Sequence, residues 1–338
     1  MNNVISQGNN IQLLSFDEID HDRNGCNQKL KVAGLSSENH VKDYKGKLFY
    51  TMFPIQVNSY WYNVQFIITA DKQTNVEINS ECAEINRTVV ITTGVAYIDI
   101  PSLVINSETG RTYTTVLISD DQVITVVGYI GKFYCSNDCD SSSFIVLPFT
   151  AFGKEYSLIL QPNNMENCGI MATATNATNV IESTSERSIT VGSATIQPGQ
   201  NMNVVLDYLE GFHIQTHSNL TSTKIYANKP IVVISGNKYT SLKESNIFYP
   251  YRSYYSDIVY ESLIHVDKWA RHFIIPLIHK ASSFRIRVIS RYTNTTITIR
   301  DNASWSTAER GDQIEITLSQ KSYFVSASNP ILVYINRR

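Results

Sequence analysis

Three short runs decide the fold of this chain: TNVEI (74–78), TNVIE (178–182) and TTITI (295–299). Each closes a longer stretch with a polar turn in its middle: TADKQTNVEI from Thr69, TATNATNVIE from Thr173 and SRYTNTTITI from Ser290. Threonine and β-branched residues on either side of such a turn are the signature of a β-hairpin. A second pattern follows each of the three: SDDQVITVVGYI from Ser119, YANKPIVVISGN from Tyr226 and SASNPILVYIN from Ser326. It reads as a polar turn and then a strand, with Pro230 and Pro330 at the strand start, where a missing N–H does least harm. Two patterns in the same order, recurring a little over 100 residues apart, predict three related β modules.

Outward from these runs the same rhythm continues. Short stretches rich in Val, Ile, Thr, Tyr and Phe, such as KLFYTMFPI, VQFIITA, SFIVLPF, MNVVLDY and RHFIIPLI, alternate with turn residues, and long helical periodicity is nearly absent. The expected fold is all-β, three tandem related antiparallel β-sandwich modules, because no crossover helices are present to support a parallel sheet. The predicted divisions are an irregular lead-in over 1–43 with one short strand near 10–16, then modules at 44–140, 141–256 and 257–338. Hydrophobic residues make up 43% of the 338, enough for each module to bury a core, and only 17% are charged. With a net charge of -2 and no basic stripe, the chain lacks the electrostatic footprint of a nucleic-acid binder. No apolar run has the length of a transmembrane helix, so no membrane insertion is expected. The amino terminus, MNNVISQGNNIQLL, has neither a basic nor an apolar region of the signal-peptide kind, so either the protein is not secreted by the usual route or the sequence is a fragment of a longer secreted or cell-surface chain, the reading adopted.

Part of the sequence resembles a known family. LPFTAFGKEY from Leu147, HSNLTSTKIYANKPIVVISGN from His217 and DIVYESLIHVDKWARHFIIP from Asp257 are similar to the N-terminal domain of IgGFc-binding protein. In the last segment Asp257, Glu261, Leu263, Trp269 and Phe273 stand where the family pattern has its equivalents. The likeness extends well over 144–338 and more loosely over 45–143. Ser222 and Ala270 depart from the pattern where it has glycine, and Asn237 and Lys238 where it has an aromatic or His-Cys pair. The resemblance implies a secreted or surface module for adhesion or recognition; it does not imply that immunoglobulin is the ligand.

Among candidate sites, the stretch 238–262 is the densest in aromatic residues. Tyr239, Phe248, Tyr249, Tyr251, Tyr254, Tyr255 and Tyr260 surround Pro250 and Arg252, the composition of a recognition surface, although the plainer reading is that these rings glue the second and third modules together. Five cysteines leave one unpaired in any full disulfide scheme; Cys135 and Cys139 either close a small loop or remain free thiols. DHDRNG (20–25) resembles the first half of a calcium loop, but Lys31 stands where the bidentate Glu is needed, and a polar turn is the plainer reading. His213 and His217, four apart on a strand, would lie roughly 13 Å apart, too far to share a metal. Asp120 and Asp121 read as solvated turn residues, and Ser235 lacks the first glycine of a nucleophile elbow. No catalytic residue, cofactor site or metal site is therefore assigned. The expected function is non-enzymatic binding of a protein or glycoprotein, mucin-like or glycan-bearing, through loop aromatics. Two alternatives stand beside it: a carbohydrate-binding or carbohydrate-active protein using carboxylates near Trp61 or Trp269, and a structural spacer.

Overall fold

The computed structural model describes residues 11–14, 32–34, 44–54, 62–80, 84–92, 94–106, 109–132, 141–158, 167–174, 178–183, 188–191, 194–197, 199–216, 220–221, 223–241, 256–277, 283–300, 303–307, 313–319 and 321–337. In chain order the strands are β1 (Ile11–Leu14), β2 (Val32–Gly34), β3 (Lys45–Thr51), β4 (Tyr62–Ala70), β5 (Thr74–Ser80), β6 (Ile85–Ile91), β7 (Gly94–Ile100), β8 (Gly110–Thr112), β9 (Val116–Lys132), β10 (Ser141–Val146), β11 (Gly153–Ser157), β12 (Asn167–Ala174), β13 (Thr178–Ser183), β14 (Ile189–Val191), β15 (Ala194–Ile196), β16 (Asn201–Leu206), β17 (Gly211–Thr216), β18 (Lys224–Ser241), β19 (Ser256–Ser262), β20 (Ala270–Ile275), β21 (Ser283–Ser290), β22 (Thr295–Ile299), β23 (Ala303–Thr307), β24 (Gln313–Ser319) and β25 (Tyr323–Arg337). Single 3-10 turns at Ser102–Val104, Phe149–Ala151 and Val266–Lys268 are the helical elements among the described residues. The chain is all-β; the described residues form three large sheets and one two-stranded ribbon. Among the described residues the strand pairs are antiparallel except β1 with β20.

Each large sheet is built around one long strand: β9, β18 or β25. Along one edge β9 takes β5 and then β4, and along the other β3 and then β10. In the same way β18 takes β13 then β12 on one edge, and β11 then β19 on the other. β25 takes β22 then β21 on one edge and β20 on the other. Outer strands complete the pattern, with β6, β16 and β23 against β5, β13 and β22, and β7, β17 and β24 against β4, β12 and β21. The wiring is the same three times. Its register is anchored on one isoleucine per sheet: Ala70 and Gly46 face Ile124, Ala174 and Gly153 face Ile231, and Ser290 and Ala270 face Ile331.

This pairing corrects two expectations. The stretches around Thr74, Thr178 and Thr295 are not hairpins: the strands on either side of each turn pair with the long strand rather than with one another. Nor do Pro230 and Pro330 begin strands. Both lie inside a continuous long strand, at a bulge where the neighbour moves from Gly153 to Glu155 while β18 moves from Ile231 to Tyr226. β20 crosses the same gap from Ile331 to Ser326 of β25, and β3 the equivalent one from Ile124 to Ser119 of β9. Bulge residues have no ladder partner, so proline costs nothing there. Asp120 is also not a solvated turn residue: it is buried in the bulge of β9, where Thr74 Oγ1 donates to it and it accepts from Gln122 N–H at 2.7 Å. Thr295, fully buried, does the matching work in the third sheet, accepting from Asn329 Nδ2 at 3.3 Å and donating to Tyr292 O at 2.9 Å.

Burial follows the pleat. β4 and β5 alternate buried and less buried positions, sending Val64, Phe66, Ile68, Val76 and Ile78 into one core with Ile118, Ile124 and Val126 of β9. Each such side chain contributes about 1.5–3 kcal/mol on leaving water. The third sheet repeats this with Ile286, Val288, Ile297, Ile299, Val325 and Val333.

The glycines facing the anchor isoleucines have a packing reason. A Cβ on Gly46 would stand 2.3 Å from Pro148 Cβ, and one on Gly153 would stand 2.2 Å from His265 Cγ. Pro148 and His265 both immediately precede a 3-10 turn on the segment that leads into the next sheet. Gly153→Ala should therefore destabilise the chain by about 1–3 kcal/mol in urea unfolding, and His265→Gly in the same chain should recover part of that loss. A Gly153→Ala chain that unfolds at the parent's midpoint would show that this contact does not constrain the fold.

Candidate functional site

The polar chemistry of the described residues concentrates where one sheet meets the next. At the first joint β8, which lies in sequence between β7 and β9 of the first sheet, pairs with β17 of the second, Gly211 facing Thr112. Arg111 on β8 donates from one guanidinium nitrogen to both carboxylate oxygens of Glu210, at 2.8 and 2.9 Å. Glu210 is almost fully buried and also accepts from the Asp207 N–H at 2.9 Å. The hydrogen bond to Glu210 leads the causes that raise the Arg111 pKa above its ordinary value. Beside it the segment after β10 lays Phe149 and Phe152 against Tyr50, with ring centroids 5.5 to 6.1 Å apart. Burial, with Tyr208 nearby, pushes the Tyr50 phenol up.

The second joint uses the matching segment after β19. Trp269 is buried against Val266, Ile289 and Leu332, and its indole N–H donates to Ile264 O at 3.2 Å. Arg291, at the turn between β21 and β22, reaches Glu155 of the second sheet at 2.7 Å and Asp267 at 3.1 Å. Tyr156 donates to Ile231 O at 2.6 Å and accepts from the Gly153 N–H at 2.9 Å; its burial raises the phenol pKa far above the usual range. Glu155, Tyr156, Ser157, Lys224, Val266, Trp269, Ser290 and Arg291 line a shallow depression with a cavity volume of about 10 Å³. That is below the usual size of a small-molecule cleft. The two carboxylates near Trp269 are both held by Arg291, so they do not form an acid and base facing a vacant substrate position.

Between the joints, β10 and β19 pack together: Phe144, Ile258 and Tyr260 share the first core, and the Tyr260 N–H donates to Ser142 Oγ at 3.1 Å. Next along β19 is Glu261, opposite Ser235. It keeps some contact with solvent, yet burial pushes its carboxyl up to about 7.

Most of the residues singled out in the sequence fall elsewhere. Phe248, Tyr249, Tyr251, Arg252, Tyr254, Tyr255, Cys135, Cys139, Trp61, His217 and DHDRNG (20–25) lie outside the described residues, and of Tyr239 only its place in β18 is described. His213 is fully buried in β17. Among the described residues, no three His, Cys, Asp or Glu side chains gather as a metal site. No described helix is long and apolar enough to cross a membrane. The joints themselves were missed by the sequence reading, since Arg111 and Glu210, or Glu155 and Arg291, are about 100 residues or more apart. Glu261, by contrast, already stood on a family position.

Comparison with known proteins bears on the same segments. A family profile described as IgGFc binding protein matches residues 142–336, from β10 to the end of β25. The chain belongs to the IgGFc binding protein family. A protein of Homo sapiens named IgGFc-binding protein is 23% identical over 207 residues, covering 59% of this chain and 3% of that protein. The chain thus spans a small fraction of that relative's length. Among solved structures, one titled "X-ray structure of the entire lipid-containing bacteriophage PM2" is 9% identical, covering 84% of this chain and 85% of that one at a TM-score of 0.15, too low to carry an argument.

Two outcomes follow from the joints. Between the ordinary carboxyl pKa and about 7, the folded state holds a proton on Glu261 that the unfolded state releases. Stability from this group is therefore fully present in acid and declines as pH rises through that window. Glu261→Gln should flatten the decline and leave the variant more stable than the parent at pH 8; parallel stability–pH curves for the two chains would refute the assignment. Arg111→Ala strands the buried Glu210 carboxylate and should cost about 1–2 kcal/mol, a value discounted because the guanidinium is half exposed. Urea unfolding reads it, and Glu210→Gln in the Arg111→Ala background should restore most of the loss.

Proposed function

We propose that this chain is a non-enzymatic, extracellular recognition module that binds a protein or glycoprotein partner, built as three tandem β-sandwich modules near 44–140, 141–256 and 257–338. The observation that carries this reading is membership of a family whose human relative is named for binding IgG Fc, over a segment that spans two of the three sheets. Two features support it. The joints are closed by ion pairs and aromatic packing, and the depression at Trp269 is small and its carboxylates are committed to Arg291, which leaves function to the outer surface. In the sandwich reading each sheet folds over itself at the bulge of its long strand, so the two halves face one another across a common core.

The partner surface we assign is the aromatic stretch holding Tyr239, Phe248, Tyr249, Tyr251, Arg252, Tyr254 and Tyr255, which follows from β18 into β19. Rigid rings with reachable hydroxyls bury area at low entropic cost, so recognition would rest on aromatic and neutral polar contacts and depend weakly on salt. Tyr251→Ala and Tyr254→Ala, measured beside the parent for binding to immunoglobulin, mucin and glycan at two salt concentrations, test the surface. About tenfold weaker binding with little salt dependence is expected; binding unchanged in both variants removes this stretch as the site.

A further inference from the structure

Asn-X-Ser/Thr, the acceptor pattern for N-linked oligosaccharides, occurs five times in this chain, at Asn86, Asn176, Asn219, Asn294 and Asn302. In a sequence this rich in Asn, Ser and Thr the pattern alone decides nothing. The fold does, because a sugar far larger than the residue that bears it can be kept only where the acceptor ends in solvent. Asn176, Asn219 and Asn302 lie outside the described residues; Asn86 and Asn294 can be judged. On β6 the end residues Ile85 and Ile91 are buried, while Asn86, Arg87, Thr88 and Val90 are exposed. Asn86 and Thr88 are alternate residues of one strand, so both project from the same side. In the turn between β21 and β22, Asn294 is exposed at a φ of 55°, left-handed backbone that asparagine tolerates better than most residues. Thr295, the middle residue of this acceptor pattern, is fully buried. It accepts from Ser290 Oγ at 2.7 Å and from Asn329, and it donates to Tyr292 O. The turn is therefore held from beneath, and Asn294 and Thr296 remain on the outside. Among the described residues none of the four side chains, Asn86, Thr88, Asn294 and Thr296, has a hydrogen-bond partner, so a sugar at either place displaces no bond.

Exposed apolar side chains gather near Asn86. Val90, on the same side of β6 as Asn86 and Thr88, is 59% exposed, and Val95 and Tyr97 of β7 are 54% and 70% exposed. Arg87 donates to the Asp99 carbonyl, which draws β6 alongside β7. Apolar side chains grouped in water on outer strands invite association unless something covers them. A sugar can do so, since its rings offer C–H faces to apolar neighbours and keep their hydroxyls in water. We propose that Asn86 and Asn294 carry N-linked oligosaccharides, and that the one on Asn86 shields Val90, Val95 and Tyr97. In the transfer the side-chain amide nitrogen bonds to the anomeric carbon of an oligosaccharide carried on a lipid diphosphate. The bond from that carbon to the diphosphate oxygen breaks, and the amide proton passes to the departing diphosphate. The proposal rests on the extracellular reading above, since a chain meets the transferring enzyme only on the secretory route.

The test uses the protein recovered from its source and the full chain secreted from animal cells. Each is treated with the amidase that releases N-linked sugars, in water enriched in heavy oxygen, and read by peptide mass spectrometry. A glycosylated asparagine then appears as aspartate carrying the heavy oxygen, and Asn86 and Asn294 should both be marked. Thr88→Ala should abolish the mark at Asn86 alone and Thr296→Ala the mark at Asn294 alone, whereas Thr88→Ser and Thr296→Ser should retain them. Loss of the Asn86 sugar, by Thr88→Ala or by amidase treatment of the folded parent, should raise binding of a hydrophobic dye. Thr296→Ala should not, and Tyr97→Ser in the Thr88→Ala chain should reverse the rise. A secreted chain bare at both asparagines overturns the proposal and leaves the extracellular reading standing. A source protein found inside the cell and bare at every acceptor overturns both. Dye binding unchanged on loss of the Asn86 sugar overturns the shielding.

Discussion

A strand has only two edges, yet β9 and β18 each serve four neighbours, and the rest of the structure depends on how that is achieved. The bulge near Asp120, Ala227 or Ala327 breaks each ladder, so that the halves of a long strand carry different partners. A bulge in a sheet interior leaves polar atoms without ladder bonds, which is costly if they are buried. Side chains meet part of this cost locally. In the first bulge the Gln122 N–H donates to Asp120, which Thr74 holds in place; in the third sheet Asn329 donates to Thr295, which in turn donates to the Tyr292 carbonyl.

The same device joins the sheets. β10 completes the edge of β9 just before β11 joins the second sheet, and β19 does so for β18 just before β20 joins the third. A joint of this kind is not a linker between finished bodies, because the strand that finishes one sheet is covalently the start of the next. The glycine at each receiving point, the aromatic residue after each 3-10 turn and the Arg–carboxylate pairs then lock it. Local opening at a joint would expose the edge of one sheet and strip core from both, so the joints belong to the more stable part of the molecule.

Much of this was legible in the sequence, and the failures are physical rather than random. Strand positions could be read because alternation of Val, Ile and Thr with polar residues matches the pleat, as in VQFIITA and TNVEI. Pairing could not. A three-residue turn between Ala70 and Thr74 reads as a hairpin by local rules, and only a third strand some 50 residues on recruits both sides instead. Pro230 was correctly read as a residue without a ladder bond, but the same chemistry fits a strand start and a bulge. Asp120 looked solvated because nothing nearby in sequence marks the hydroxyl of Thr74 as its partner. For the joints, the resemblance named Trp269 and Glu261, whereas the ion pairs join residues too distant for any spacing rule.

Because the scaffold repeats, positions that differ between copies carry more information than those that agree. The turn after the anchor residue holds Asp71 in the first sheet, paired with Lys45 at 2.9 Å. In the third sheet the same place holds Arg291, with the charge reversed. It pairs with Asp267 nearby and reaches across to Glu155 of the preceding sheet. One position, free to vary because the bulge and not the charge maintains the wiring, has thus been turned from a pair within one sheet into a bond between two. Ala270 differs in the same way: it stands in the register of Gly46 and Gly153, and its methyl group leaves both the Ile331 pairing and the bulge in place. A repeat with a strict hydrogen-bonding frame therefore tolerates changes of charge and of a few atoms at single positions, while the ladder that sets the fold stays as it is.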